Sequence, residues 1–212
     1  MSTRNIARIL GLAVAMAWVL LSAPVDTRYA SADPCPDVEV VFARGTNEPP
    51  GFGTVGQAFV YALRSQVPER SVGGYAVNYP ATDDFASSLS AGSGDARAHV
   101  QSMAANCPST RLVLGGFSQG AAVIDITTDQ LPPQVANHVA AVVVFGNMES
   151  TATRTLGGAP IPSIGPVYRP KTIDLCVADD PVCSEGNSPT AHGLYVQSGM
   201  TNQAAAFAAG RL

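Results

Sequence analysis

Apolar and polar positions fall into blocks along this chain, and block length and spacing separate strands from helices. Val38 to Ala43 is a short apolar run of strand type. Val55, Phe59, Ala62, Leu63 and Val67 then recur at helical spacing, and Pro68 stops that helix. Tyr75 to Tyr79 reads as a second strand, ended by Pro80. Asp95 to Asn106 predicts a helix before Pro108, with Val100, Met103 and Ala104 on one face. A third apolar run, Leu112 to Leu114, leads into a helix from Gly120 to Gln130, stopped by Pro132 and Pro133. Val139 to Phe145 is nearly all apolar, as expected of a strand covered on both faces. A Gly/Pro-rich connection over 146–170 precedes a strand at Lys171 to Cys176. A last helix is predicted from Thr201 to Arg211, with Thr201 as its N-cap. Alternating strands and helices imply an α/β fold, a three-layer sandwich around a central, mainly parallel five-stranded sheet. No internal repeat interrupts the pattern, and the 146–170 stretch is too short and too apolar to link two domains.

The N-terminus changes the domain count. Arg4 and Arg8 precede an apolar stretch of 15 residues, Ile9 to Ala23, and Ala30-Ser31-Ala32 follows. A basic region, a short apolar region and an A-x-A site describe a secretory signal peptide over 1–32. The apolar stretch is shorter than the roughly 20 residues that span a bilayer, so no stable membrane insertion is expected after cleavage. Residues 33–212 then form one domain of 180 residues, exported and extracellular, and enough for a real core. That mature chain carries 9 basic and 15 acidic residues, a net charge of −6. It shows no basic patch, which argues against a nucleic-acid partner. With no C-x-x-C pair, His-rich tract or H-E-x-x-H, no metal site and no cofactor are expected. Four cysteines remain, Cys35, Cys107, Cys176 and Cys183. In an oxidising compartment an even count favours two disulfides. Sequence alone allows three connectivities; a local Cys176–Cys183 bridge around a turn would leave Cys35 for Cys107.

The candidate chemistry centres on Gly116-Phe117-Ser118-Gln119-Gly120. Set between a buried strand and a helix, G-x-S-x-G is a nucleophile elbow, which holds its serine in a strained turn and needs small neighbours. A serine nucleophile needs a base and a group to orient it. The chain has three histidines. His99 falls within a predicted helix and His138 just before a buried strand, where core or rim roles suffice. His192 lies in a loop after the last strand, where an α/β-hydrolase, with chain order Ser, Asp/Glu, His, carries its base. Asp174, Asp179 and Asp180 are the candidate acids. Asp179 and Asp180 lie between two cysteines that could clamp their loop, although Asp-Asp-Pro is also plain turn chemistry.

These residues resemble the cutinases and the bacterial cutinase-like serine esterases over essentially all of residues 35–212. The resemblance is carried by Phe42-Ala43-Arg44-Gly45-Thr46, the Ser118 elbow, Cys176-Val-Ala-Asp-Asp180-Pro-Val-Cys183, and His192 nine residues later. It implies an α/β-hydrolase-type sandwich, the pairings Cys35–Cys107 and Cys176–Cys183, and Asp180 as the acid. It also implies an oxyanion hole from the backbone N–H groups of Thr46 and Gln119, to which the Thr46 hydroxyl can add. The implied activity is carboxylic-ester hydrolysis through an acyl-enzyme, by a monomer acting on a small-molecule, lipid or polyester ester. The chain departs from the best-known cutinases at 184–191, where an apolar rim is replaced by Ser-Glu-Gly-Asn-Ser-Pro-Thr-Ala. That favours short to medium acyl esters over cutin. The alternatives are a lipase or phospholipase acting on long-chain lipid esters, a secreted serine peptidase, and a non-catalytic binding or antigenic protein.

Overall fold

Five parallel strands form a single sheet in the order β2-β1-β3-β4-β5 in the computed structural model, which describes residues 35–212. The expected signal peptide and its cleavage site lie outside the described residues. The strands are β1 (Val38–Ala43), β2 (Val72–Ala76), β3 (Arg111–Phe117), β4 (Val139–Phe145) and β5 (Thr172–Leu175). Their β-branched, apolar sequences suit a sheet buried on both faces, and every residue of β4 is buried. Four helices cover it: α1 (Gly53–Gln66), α2 (Phe85–Asn106), α3 (Gln119–Gln130) and α4 (Met200–Ala209). Two separate clusters of buried side chains divide them between the faces. Leu89, Ala96 and Val100 of α2 and Val123 and Ile124 of α3 pack with Val41 and Leu114 on one side. Phe59 and Leu63 of α1 and Ala204, Ala205 and Ala208 of α4 pack with Val40, Phe42 and Val143 on the other.

β1, β4 and α1 fall where the pattern predicts them. β2 begins three residues before its predicted start, because Val72-Gly73-Gly74, a turn by composition, pairs with Val38, Glu39 and Val40. A Cβ on Gly73 would lie 3.0 Å from the Pro36 ring and one on Gly74 2.7 Å from the Phe52 ring, so these glycines make room for neighbours. α2 begins ten residues before the predicted Asp95, across a Ser/Gly-rich stretch of low helix propensity. Asp84 caps it by accepting the Ser87 N–H, and Gly92 lets it approach Val123 of α3. The Thr201 N-cap is corrected: α4 starts at Met200 behind Gly199 at φ 78°, with no side-chain cap, and Thr201 is buried. Two disulfides, Cys35–Cys107 and Cys176–Cys183, tie the fold as the resemblance implies. No helix among the described residues is long and apolar enough to cross a membrane.

Candidate active site

Ser118, the Thr46 segment and the loop that carries Asp180 follow the carboxyl ends of β3, β1 and β5, where open α/β sheets bind their ligands. Ser118 follows β3 and precedes α3 directly, at φ 56° and ψ −121°, a region a side-chain-bearing residue enters only under constraint. Ser118 N–H is fixed by Phe145 O at 2.9 Å, and Ser118 O accepts the N–H groups of Ala121 and Ala122. Close approach explains both motif glycines. A Cβ on Gly116 would lie 2.2 Å from Gly120 O, and one on Gly120 would lie 2.0 Å from Ala43 O. The elbow is therefore wedged against the end of β1, and Ser118 retains partial solvent exposure.

The segment after β1 is braced from several directions. Arg44 is buried and, among the described residues, has no carboxylate partner. Its guanidinium donates to Glu48 O at 2.8 Å, Tyr79 O at 2.9 Å and Pro80 O at 3.1 Å, with the Tyr79 ring 5.0 Å away. Tyr79 OH returns a hydrogen bond to Arg44 O. Glu48 accepts Gly45 N–H and Thr54 N–H, each at 2.7 Å. Asn47 N–H is taken by Ala81 O. Among the described residues, neither the Thr46 N–H between these fixed points nor the N–H of Gln119 has a protein acceptor. Two unpaired peptide donors, one on the residue after a strained serine and one on the segment against which the elbow packs, are a suitable pair for holding a developing oxyanion. The Gln119 side chain does not enter the site: it is buried, donating to Thr82 O at 2.9 Å.

Asp180 and His192 meet across the loop after β5. His192 lies in a 3₁₀ turn, Ala191–Gly193, and its Nδ1 is 2.8 Å from Asp180 Oδ2. The imidazole stacks on Phe117, the residue before Ser118, at a centroid distance of 4.8 Å. Ser118 Oγ makes no hydrogen bond to the ring, whose Nδ1 is the nitrogen engaged by Asp180. A Cβ on Gly146, at φ 56°, would lie 2.9 Å from His192 Cε1, so only glycine lets the end of β4 pass so close beneath the ring. Asp180 is fully buried. Its Oδ1 accepts Val182 N–H at 2.8 Å, and its Oδ2 also accepts Tyr195 OH. A buried carboxylate needs several such donors. Asp179 is exposed and sits at φ 65°, where it shapes the turn that turns Asp180 inward. Asp174 lies at the end of β5, bonded to Asn147 and not to His192. His99 pairs with Glu39 and stacks on Tyr75, a structural role.

Near the site Asn147 links Asp174 to Asp125, an arrangement that the sequence did not signal. Asn147 Nδ2 donates to Asp125 Oδ2 at 3.0 Å and to Asp174 Oδ2 at 3.2 Å. Asp125 is buried and its Oδ1 has no partner, a position more tolerable for a neutral acid. Burial above all, opposed by the Asn147 amide and reinforced by Asp174 and Glu149, pushes its carboxyl up to about 8. Asp174 is raised less, to about 6, again chiefly by burial, and because its side chain is exposed it adds little to the effect. Between about pH 4 and pH 8 the folded state thus keeps a proton that the unfolded chain has released, and stability falls as pH rises through that window. Asp125→Asn is expected to flatten this fall, so that the variant melts above the unmodified protein at pH 8.5 but not at pH 4.5. Parallel Tm–pH curves for the two would contradict the assignment.

The family model described as Cutinase matches residues 34–212. The chain is 57% identical over 213 residues to a protein of Mycobacterium tuberculosis named carboxylesterase Culp1, covering 100% of this chain and 98% of that one. It is 48% identical over 221 residues to the same organism's phospholipase Culp4, covering 100% of this chain and 93% of that one. Among solved structures, Trichoderma reesei cutinase in complex with a phosphonate inhibitor aligns with a TM-score of 0.68 at 31% identity, covering 84% of this chain and 77% of that one. The chain belongs to the cutinase family and is a carboxylic ester hydrolase with the cutinase-like α/β-hydrolase fold.

Proposed function

We propose that this protein is a secreted esterase in which Ser118 is the nucleophile, His192 the general base and Asp180 the acid that orients it. The observation that carries the reading is the Asp180–His192 hydrogen bond beside a serine held at φ 56°. Ser118 Oγ attacks the ester carbonyl as His192 Nε2 takes its proton, and the imidazolium is stabilised by Asp180. The carbonyl oxygen, now negative, is received by the N–H groups of Thr46 and Gln119. His192 then returns the proton to the leaving alcohol, and water repeats the sequence to release the acid. Two disulfides suit an extracellular setting.

The preferred acyl chain follows from residues 184–190. A buried CH₂ contributes about 0.8 kcal/mol only where apolar surface receives it. Here Glu185 Oε1 is committed to the Thr151 N–H and hydroxyl, both at 2.8 Å, and Asn187 is exposed. Polar groups of this kind are costly to desolvate against a chain. We therefore expect kcat/KM to peak at about four to eight acyl carbons and to fall for palmitate. Asn187→Leu with Ser188→Leu should move the peak towards longer chains. A nitrophenyl-ester series from acetate to palmitate tests this. Rates that climb steadily to palmitate would favour the long-chain lipid reading, which the Culp4 relative, named a phospholipase, keeps in play.

A further inference from the structure

Tyr195 is fully buried, three residues beyond His192. Its ring stands edge-on to His192, with an interplanar angle of 87°, and packs against Phe117 and Phe145. Its hydroxyl donates to Asp180 Oδ2, the same oxygen that faces His192 Nδ1. The hydroxyl oxygen is 3.4 Å from Val177 N and 3.4 Å from Cys183 Sγ, so it also touches the loop that the Cys176–Cys183 bridge closes. Burial first, and then the bond to Asp180, push the phenol well above its ordinary range, so it remains a donor at every working pH. The charged groups around it are Asp180, Asp174 and, when protonated, His192. Among the described residues no Lys or Arg pairs with Asp180. Its charge is met only by the imidazole, the Val182 N–H and this phenol.

We infer that Tyr195 is a positioning residue for the proposed Ser-His-Asp machinery, setting both the orientation of the Asp180 carboxylate and the strength with which it holds His192. The inference rests on the triad reading, but its physical content is separable from it. Three donors, two of them sharing Oδ2, fix the carboxylate plane. The phenol also draws charge from the oxygen that binds the imidazole. Removing it leaves Oδ2 a stronger acceptor for His192, which makes the ring more basic while the carboxylate becomes freer to rotate. Tyr195 has no surface exposure and so cannot contact substrate.

The test pairs two variants with opposite expected signs. Tyr195→Phe removes one oxygen and keeps the packed ring. It should lower kcat about ten-fold with KM unchanged, as befits loss of a hydrogen bond to a charged group. It should also move the acid limb of the kcat/KM profile to higher pH by about half a unit. Replacing Tyr195 with 3,5-difluorotyrosine, a stronger donor in the same place, should move that limb to lower pH. The His192 ring titration, followed by NMR in a Ser118→Ala background, should shift in the same two directions without any turnover being required. Limbs and ring titrations that coincide for all three proteins would reduce Tyr195 to core packing and overturn the inference. Failure of the triad reading would show differently, as Ser118→Ala retaining turnover while the ring titrations still move.

Discussion

Ser118→Ala and His192→Ala are each expected to lower turnover of a short nitrophenyl ester by about 10⁶-fold, with the fold intact. The two effects should be alike and should not multiply in the double variant, because the serine without its base, or the base without its serine, performs no acyl transfer. Retention of structure is expected on physical grounds. Ser118 is held by its own N–H and C=O, on Phe145 O and on Ala121 and Ala122, and these bonds survive loss of the hydroxyl. The His192 ring covers Phe117 but remains partly exposed, so its removal leaves no closed cavity. Some hydrolysis above the uncatalysed rate should persist, since the Thr46 and Gln119 N–H groups are untouched. A variant of either residue with more than a few per cent of the unmodified kcat would remove it from the machinery.

Asp180→Asn is expected to lower kcat by about 10⁴-fold, and Asp179→Asn to change it less than two-fold. The contrast arises because both Asp180 oxygens face donors, Val182 N–H on Oδ1 and Tyr195 OH with His192 Nδ1 on Oδ2. An amide has an acceptor on one side only, so its NH₂ must confront one of these donors. The relief available is for His192 to present Nδ1 as an acceptor and move its proton to Nε2, the tautomer that cannot take a proton from Ser118. Leaving a buried donor unpaired would also lower stability by about 1–3 kcal/mol. Asp179 makes no such contact; its backbone is left-handed, which Asn accepts readily. A larger loss for Asp179→Asn than for Asp180→Asn, measured as kcat on the same ester, would reassign the acid.

The sequence was most legible where one physical demand acts alone. β1 and β4 are continuous apolar runs because helices cover both faces, and their limits match the expectation residue for residue. β2 and the first half of α2 were misread where glycines and serines serve packing: Gly73, Gly74 and Gly92 are set by the neighbours they admit, which local propensity does not report. At the site, Ser118 was visible because its strained turn requires small flanking residues in a fixed spacing. Position and scarcity single out His192 as the candidate base, whereas preferring Asp180 to Asp179 as the candidate acid needs the resemblance, since both are loop aspartates in one turn. Tyr195 sits three residues from His192, but nothing in the sequence indicated that the intervening 3₁₀ turn would bring its hydroxyl to the same carboxylate. The bonds from Arg44 to Tyr79 O and Pro80 O, which brace the Thr46 segment, and the Asp125–Asn147–Asp174 group are long-range arrangements with no local signature.

The central claim is that Ser118 is the nucleophile, and covalent labelling addresses it most directly. The purified protein, treated with a nitrophenyl alkylphosphonate and mapped by mass spectrometry of its peptides, should carry one phosphonyl group per chain, on Ser118. Esterase activity should fall in proportion to the label, and the Ser118→Ala variant should take up none. Complete loss of activity with Ser118 unmodified, or full activity with Ser118 labelled, would contradict the account.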